Sequence, residues 1–268
     1  MFGAERINRI KKILSEKKRA DVSTLSSLLG VSEVTIRRDL EKLENEGYLV
    51  RSHGGAILNE TAEEEADFEI PMLSSFDNYE ELDTIGKICS FLVKDNDTLF
   101  IGPGVTGRFI ARHLEKKRNI QVLTNDIGVV LQFSRIGYDK EVIFLGGNID
   151  FANLQTMGQV TLDNLRDFHV NTAFVEVDGV SMENGYSVSN TNKATITQSI
   201  FSASSRTVAV CDGSKFNCMS FSALGPIDQF RCIVSSQNVP ENYKKYYFDH
   251  DIKLYTTFDI YKGALVGE

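Results

Sequence analysis

Long apolar runs are missing from this chain of 268 residues, and their absence rules out a membrane-spanning helix. Cysteine is scarce as well. Cys89, Cys211, Cys218 and Cys232 lie scattered without a CxxC pair, which suggests reduced thiols, and with four separated histidines they give no zinc spacing. No signal peptide, internal repeat or low-complexity tract is visible. The expectation is a cytoplasmic protein with reduced thiols, and 42% hydrophobic with 25% charged residues is the composition of a folded globular chain.

Positive charge is also in short supply, 29 Lys+Arg against 37 Asp+Glu, but the deficit is uneven. Residues 1–58 hold 11 Lys+Arg against 8 Asp+Glu, a balance of +3, which leaves 18 against 29, or −11, for the remainder. A protein that coats nucleic acid along its whole length is excluded by the acidic part. A basic head is not. The acidic run NETAEEEAD at 59–67, ending near Pro71, reads as a linker, so the expected domains are 1–58, a linker over 59–71, and 72–268.

Within the head, GVSEVTIRRDL at 30–40 reads as a turn and a helix start: Ser32 is an N-cap, Val31 staples onto Ile36, and Ile36, Leu40 and Leu43 recur at helical spacing. The opposite face stacks Thr35, Arg38 and Lys42 with Arg37 beside them, and Ser32 and Glu33 sit at the helix start. Val22 to Leu29 forms a preceding short helix. Tyr48 to Arg51, the turn SHGG and Ala56 to Leu58 form a hairpin, with Gly47 ending the helix before it. Helix, turn, helix and wing make a DNA-binding design, with Thr35, Arg37 and Arg38 in the major groove and Arg51 and His53 of the wing on the backbone or minor groove. Asp39 suits an internal brace, because phosphate would repel it.

From Tyr79 onward short apolar strands alternate with amphipathic helices, which implies a mostly parallel sheet covered on both faces. The strands are expected at 98–101, 122–123, 142–145, 173–177, 208–211 and 233–234; the helices are expected around Leu82–Cys89 and at 108–115, 127–134, 159–168 and 194–202. Ligands on such sheets bind beyond the strands' carboxyl ends. Three loops there look like anion seats: GPGVTG at 102–107, the run Thr124, Asn125 and Asp126, and Gly146, Gly147 and Asn148. No Walker lysine follows GPGVTG and no acidic ribose partner is evident, which disfavours nucleoside triphosphates and dinucleotides. The expected lining is Gly104, Val105, Thr106, Gly107, Thr124, Asn125, Gly146 and Gly147, with Lys215 supplying charge and Asp178 accepting hydroxyls. The tail aromatics Tyr243, Tyr246, Tyr247, Phe248, Tyr255, Phe258 and Tyr261 suit packing on the sheet or on another subunit.

The head residues Arg6, Ile10, Leu14, Ser32, Thr35 to Leu40 and Arg51, with HGGA at 53–56, resemble the signature of the DeoR family of bacterial transcriptional regulators. GPGVTG, LTND, LGG, AFVEVDGV and DGSKF resemble that family's sensor domain, so the likeness covers nearly the whole chain. The resemblance implies a winged helix-turn-helix head and an α/β sensor similar to ribose-5-phosphate isomerase and coenzyme A transferases. It further implies a repressor of sugar or carbohydrate genes that binds double-stranded operator DNA as a homodimer or homotetramer and answers to a phosphorylated sugar or related metabolite. No catalytic residue, metal or cofactor is assigned. The alternative is a sugar-phosphate isomerase or transferase with a DNA-binding head, in which Glu176 or Asp178 moves the proton. The chain departs from the family pattern at Gly102, Val105, Glu176 and Lys193, which leaves open an atypical ligand or a degenerate site.

Overall fold

The computed structural model describes residues 3–45, 48–52, 54–58, 73, 76–136 and 140–256. Gly47, His53, the acidic run, Pro71, Phe258 and Tyr261 lie outside them. The chain divides into two compact units, Met1–Ile70 and Pro71–Glu268.

In the first unit α1 (Gly3–Lys17), α2 (Val22–Leu29) and α3 (Glu33–Asn45) enclose Ile10, Leu14, Leu25, Ile36, Leu40 and Leu43, all buried. The α2–α3 turn works because Gly30 adopts φ 65°, which lets the Gly30 and Val31 amides both return to Ser26 O while Ser26 Oγ donates to Val31 O at 2.6 Å. The Thr35 amide donates to Ser32 Oγ at 3.3 Å, the expected cap. The hairpin forms as β2 (Leu49–Ser52) against β3 (Gly55–Leu58). A strand that periodicity missed, β1 (Arg19–Asp21), pairs antiparallel with the other edge of β3, giving the order β1-β3-β2.

The second unit is built on a seven-stranded sheet. Its strands in chain order are β4 (Thr98–Ile101), β5 (Gln121–Thr124), β6 (Glu141–Phe144), β9 (Val170–Glu176), β12 (Ser204–Val210), β14 (Cys232–Val234) and β15 (Lys253–Tyr255). The spatial order is β15-β14-β12-β9-β4-β5-β6, and every neighbouring pair is parallel. Alternate residues feed opposite layers: Phe100, Leu123, Ala173, Val175 and Ala209 face one, while Leu99, Ile101, Val122, Phe174 and Val208 face the other.

Helices α4 (Tyr79–Phe91), α5 (Val105–Arg112) and α6 (Ile127–Ile136) cover the second of these layers; α7 (Gln159–Leu165), α8 (Thr191–Ser202) and α9 (Glu241–Asp249) cover the first. Two small additions were not visible as sequence periodicity. One is a two-stranded arm, β7 (Asn148–Asp150) with β8 (Gln155–Met157); the other is an antiparallel sheet of β10 (Gly179–Ser181), β11 (Gly185–Val188) and β13 (Ser222–Gly225). The tail aromatics divide: Tyr243 and Tyr247 are core, Tyr255 lies on the edge strand β15, and Phe248 is 85% exposed. Among the described residues no helix is long and apolar enough to cross a membrane, and no cluster of His, Cys, Asp or Glu could hold a metal ion.

Candidate functional site

The outer face of α3 is set by its inner one. With Ile36, Leu40 and Leu43 fixed in the head core, Glu33, Arg37, Arg38 and Lys42 project into solvent, and Thr35 sits half-buried with its hydroxyl 2.9 Å from Ser32 Oγ. Arg37 Nη2 reaches Glu33 Oε2 at 3.3 Å, an exposed i,i+4 pair too weak to hold the guanidinium against a phosphate or base. Asp39 points the other way. Its carboxylate takes two bonds from Arg6, at 2.5 and 3.1 Å, which brace α1 against α3 and raise the Arg6 pKa through that hydrogen bond. Arg51 on β2 is tied to the same helix, since its amide donates to Glu44 Oε1 at 3.2 Å. Sequence reasoning passed over Val34, which is 73% exposed on the first turn of α3, where an apolar side chain can meet a thymine methyl.

In the second unit the strand-end loops converge as the topology requires, but their roles separate. A cavity of about 280 Å³ is lined by Gly104, Val105, Arg108, Asn153, Glu176, Asp178, Ser189, Asn190 and Lys193, among others. A second, of about 140 Å³, is lined by Val105, Thr106, Glu176, Asp212 and Lys215, among others. Glu176, Val105 and Phe76 border both. Lys215 and Asp178 therefore line different cavities, not one pocket as expected, and Lys215 lies 4.0 Å from Asp212.

Five expected lining residues line neither cavity. Thr124 and Asn125 are fully buried: Thr124 Oγ1 donates to Ile101 O at 2.7 Å, and Asn125 Nδ2 to Thr156 O at 2.8 Å. Gly107 is packed against Gly102 O and Ile101, where a Cβ would lie 2.6 Å from the carbonyl. Gly146 O accepts from Thr161 Oγ1 at 2.7 Å, and at Gly147, φ 146°, a Cβ would run into that hydroxyl. Gly107 and Gly147 shape the loops through close approach, which is the other reason a tight turn selects glycine, while Thr124 and Asn125 do so through their side-chain bonds.

Two of the four amides expected to face a phosphate, those of Gly104 and Thr106, are already taken within the chain. The Thr106 amide donates to Glu176 Oε2 at 2.7 Å, and the Gly104 amide to Asp126 Oδ2 at 3.1 Å. Carboxylates of the chain itself occupy the positively polarised start of α5. Asp126 is buried and takes both guanidinium bonds of Arg108, at 3.1 and 3.2 Å, while Arg108 also donates to Asn153 O on the arm at 3.0 Å. Lys193, its side chain 9% exposed, bonds Asp178 Oδ1 at 2.9 Å and stands 3.9 Å from Glu176 Oε1; Asp178 Oδ2 accepts the Ser189 amide at 2.7 Å. Arg108 was missed as a site residue, whereas Asp126 was read only within an anion seat, Glu176 only as a proton carrier of the alternative enzyme and a departure from the family pattern, and Lys193 only as such a departure. The available signal was an arginine inside an amphipathic helix, a position that demands a buried partner.

Comparison with known proteins adds to this geometry. Residues 6–62 match the family model of the DeoR-like helix-turn-helix domain, and residues 77–237 that of the DeoR C terminal sensor domain. The uncharacterized HTH-type transcriptional regulator YulB of Bacillus subtilis is 32% identical over 248 residues, 91% of this chain and 93% of the relative. The HTH-type transcriptional repressor GlcR of the same organism is 27% identical over 240 residues, 88% of this chain and 90% of the relative. Among solved structures, the full-length sorbitol operon regulator SorC from Klebsiella pneumoniae aligns with a TM-score of 0.42 and 10% identity, covering 92% of this chain and 99% of its own.

Proposed function

Because the chain belongs to the DeoR family of transcriptional regulators, we propose that it represses sugar or carbohydrate genes by binding their operators and lets go when a sugar-derived metabolite enters the larger cavity. The observation that carries the operator half is α3: its apolar edge is spent on the head core, so Arg37, Arg38 and Lys42 are left outward on a rigid rod that fits a major groove. Arg51 on the wing, held to α3 through Glu44, suits the flanking backbone. The sugar half draws on the cavity, whose Asp178, Ser189, Asn190 and Asn153 are the acceptors and donors that hydroxyl groups need, and on the repressor GlcR among the relatives. One small head reads too little DNA to single out a genomic site, so a homodimer or homotetramer on repeated half-sites fits the task.

An isomerase role would need Glu176 or Asp178 free to take a proton. Both are committed, Glu176 to the Thr106 amide and Asp178 to Lys193 and the Ser189 amide.

Fluorescence anisotropy on DNA from upstream of the chain's own gene tests the operator half. Arg37→Ala and Arg38→Ala should each weaken binding by roughly 1–3 kcal/mol if they read bases, or flatten the salt slope if they hold phosphates. Unchanged affinity in the double variant would refute the assignment. Light scattering with and without DNA tests assembly, and a chain that stays monomeric in both refutes it.

A further inference from the structure

The larger cavity carries its own anion. Glu176 closes β9, borders both cavities, and accepts the Thr106 amide at 2.7 Å in the first turn of α5. An entering phosphate would need that same amide, together with cations to offset its charge. Neither is free. A Cβ built on Gly104 would stand 2.6 Å from the Glu176 carboxyl carbon and from both its oxygens, so carboxylate and loop are in contact with no gap for a tetrahedral anion. Arg108 is matched by Asp126, and the remaining charged groups of the lining are Glu176, Asp178 and Lys193. With the buried Asp126 counted against Arg108, two cations stand against three carboxylates, a balance of −1 for the site. A phosphate dianion placed there would face carboxylates at close range in a partly desolvated space.

We propose that Glu176 is the specificity-determining residue of this site: it fills the anion seat on α5 and restricts the cavity to polyhydroxylated ligands that carry no phosphate. The inference rests on the effector reading of the same cavity. It follows from what is left over once the internal ion pairs are made. Asp178, Ser189, Asn190 and Asn153 present mixed donors and acceptors, and the cations of the lining are already paired, which suits a sugar or polyol. The class of reaction that supplies such a ligand is one that releases or imports the free sugar, not one that phosphorylates it.

The test is the ratio of affinities for inorganic phosphate, and for glucose 6-phosphate, between wild-type full-length chain and Glu176→Ala, measured by isothermal titration and phosphorus NMR. Taking the ratio removes any general anion binding by the basic head. Emptying the seat and dropping one negative charge should raise phosphate affinity roughly tenfold or more, equivalent to about 1.4 kcal/mol. Equal affinities in the two proteins overturn the proposal, as does a wild-type chain that releases its operator with glucose 6-phosphate but not with unphosphorylated sugars. If Glu176→Ala loses its fold, Glu176→Gln decides, because it keeps an acceptor for the Thr106 amide without the charge: a gain in phosphate affinity supports the proposal and no gain overturns it. Operator binding by ligand-free protein, read on the same samples, depends on α3. Its failure would sink the regulator assignment without changing the phosphate ratio.

Discussion

Replacing Arg108 with Met should loosen the floor of the larger cavity from within. The guanidinium and the Asp126 carboxylate meet through two bonds at 3.1 and 3.2 Å, with the arginine side chain 7% exposed and the aspartate fully buried. Methionine fills much of the aliphatic stem but offers no donor. Asp126 would keep only the Gly104 amide at 3.1 Å and the Val129 amide at 2.8 Å, so one carboxylate would remain buried with half its partners. Breaking a buried pair from one side costs about 3–5 kcal/mol, and the two surviving amides place this case near the lower end, about 3 kcal/mol. At roughly 2–4 °C per kcal/mol for a domain of this size, the second unit should melt about 6–12 °C lower. Calorimetry measures it directly. Adding Asp126→Asn should return part of the loss, since a carboxamide oxygen still accepts an amide without an unpaired charge. A shift worth less than about 1 kcal/mol, the scale of a surface pair, would refute the claim that this contact holds the loop.

Gly104→Ala should cost about 1–3 kcal/mol, because φ is 138° and the new methyl meets Glu176; adding Glu176→Ala should remove the steric share only, and equal costs in both backgrounds by urea denaturation would refute that contact. Alkaline pH should destabilise the second unit in a defined window. Burial pushes the Cys211 thiol up to about 12 and Cys232 to about 11, while both titrate near 9.0 once unfolded. The folded chain keeps these protons longer, so their contribution is complete below pH 9 and is lost as pH rises through the folded values. Urea midpoints taken on either side of pH 9 should fall, less steeply in Cys211→Ala, and a flat profile would refute the burial argument. In native protein a thiol reagent should modify Cys218 alone, since the other three cysteines are buried; release of more than one equivalent per chain would contradict this.

Strands with short apolar runs bounded by turn residues were legible, and β4 matched its expected limits residue for residue because Gly102 follows directly. Helices α2 and α6 began where apolar spacing placed them. What escaped was made by distant partners. β1 is three residues, two of them charged, and is a strand only because β3 lies beside it. The β7–β8 arm exposes Ile149 and Phe151, which breaks the alternation that marks a half-buried strand. The glycine loops do lie at the strand ends, and Gly104 of the first borders the larger cavity. Glycine alone, however, cannot distinguish an amide open to a ligand from one already taken, and the acceptor of the Thr106 amide lies 70 residues further along the chain. The tail aromatics announced packing, yet only α9 decides that Tyr243 and Tyr247 go inward and Phe248 outward.

The central place of β3 in the head has a mechanical consequence. At its end, the Leu58 amide is bonded to Lys18 O, and the strand is laddered to β1 on one edge and β2 on the other. A force along the axis of β3 loads both ladders together, in shear, instead of peeling one bond at a time. Bonds strained in parallel yield late and all at once. Such a load is therefore shared between β1, which follows α1, and β2, which follows α3, so the ladders that hold the wing also fix its spacing from both helices.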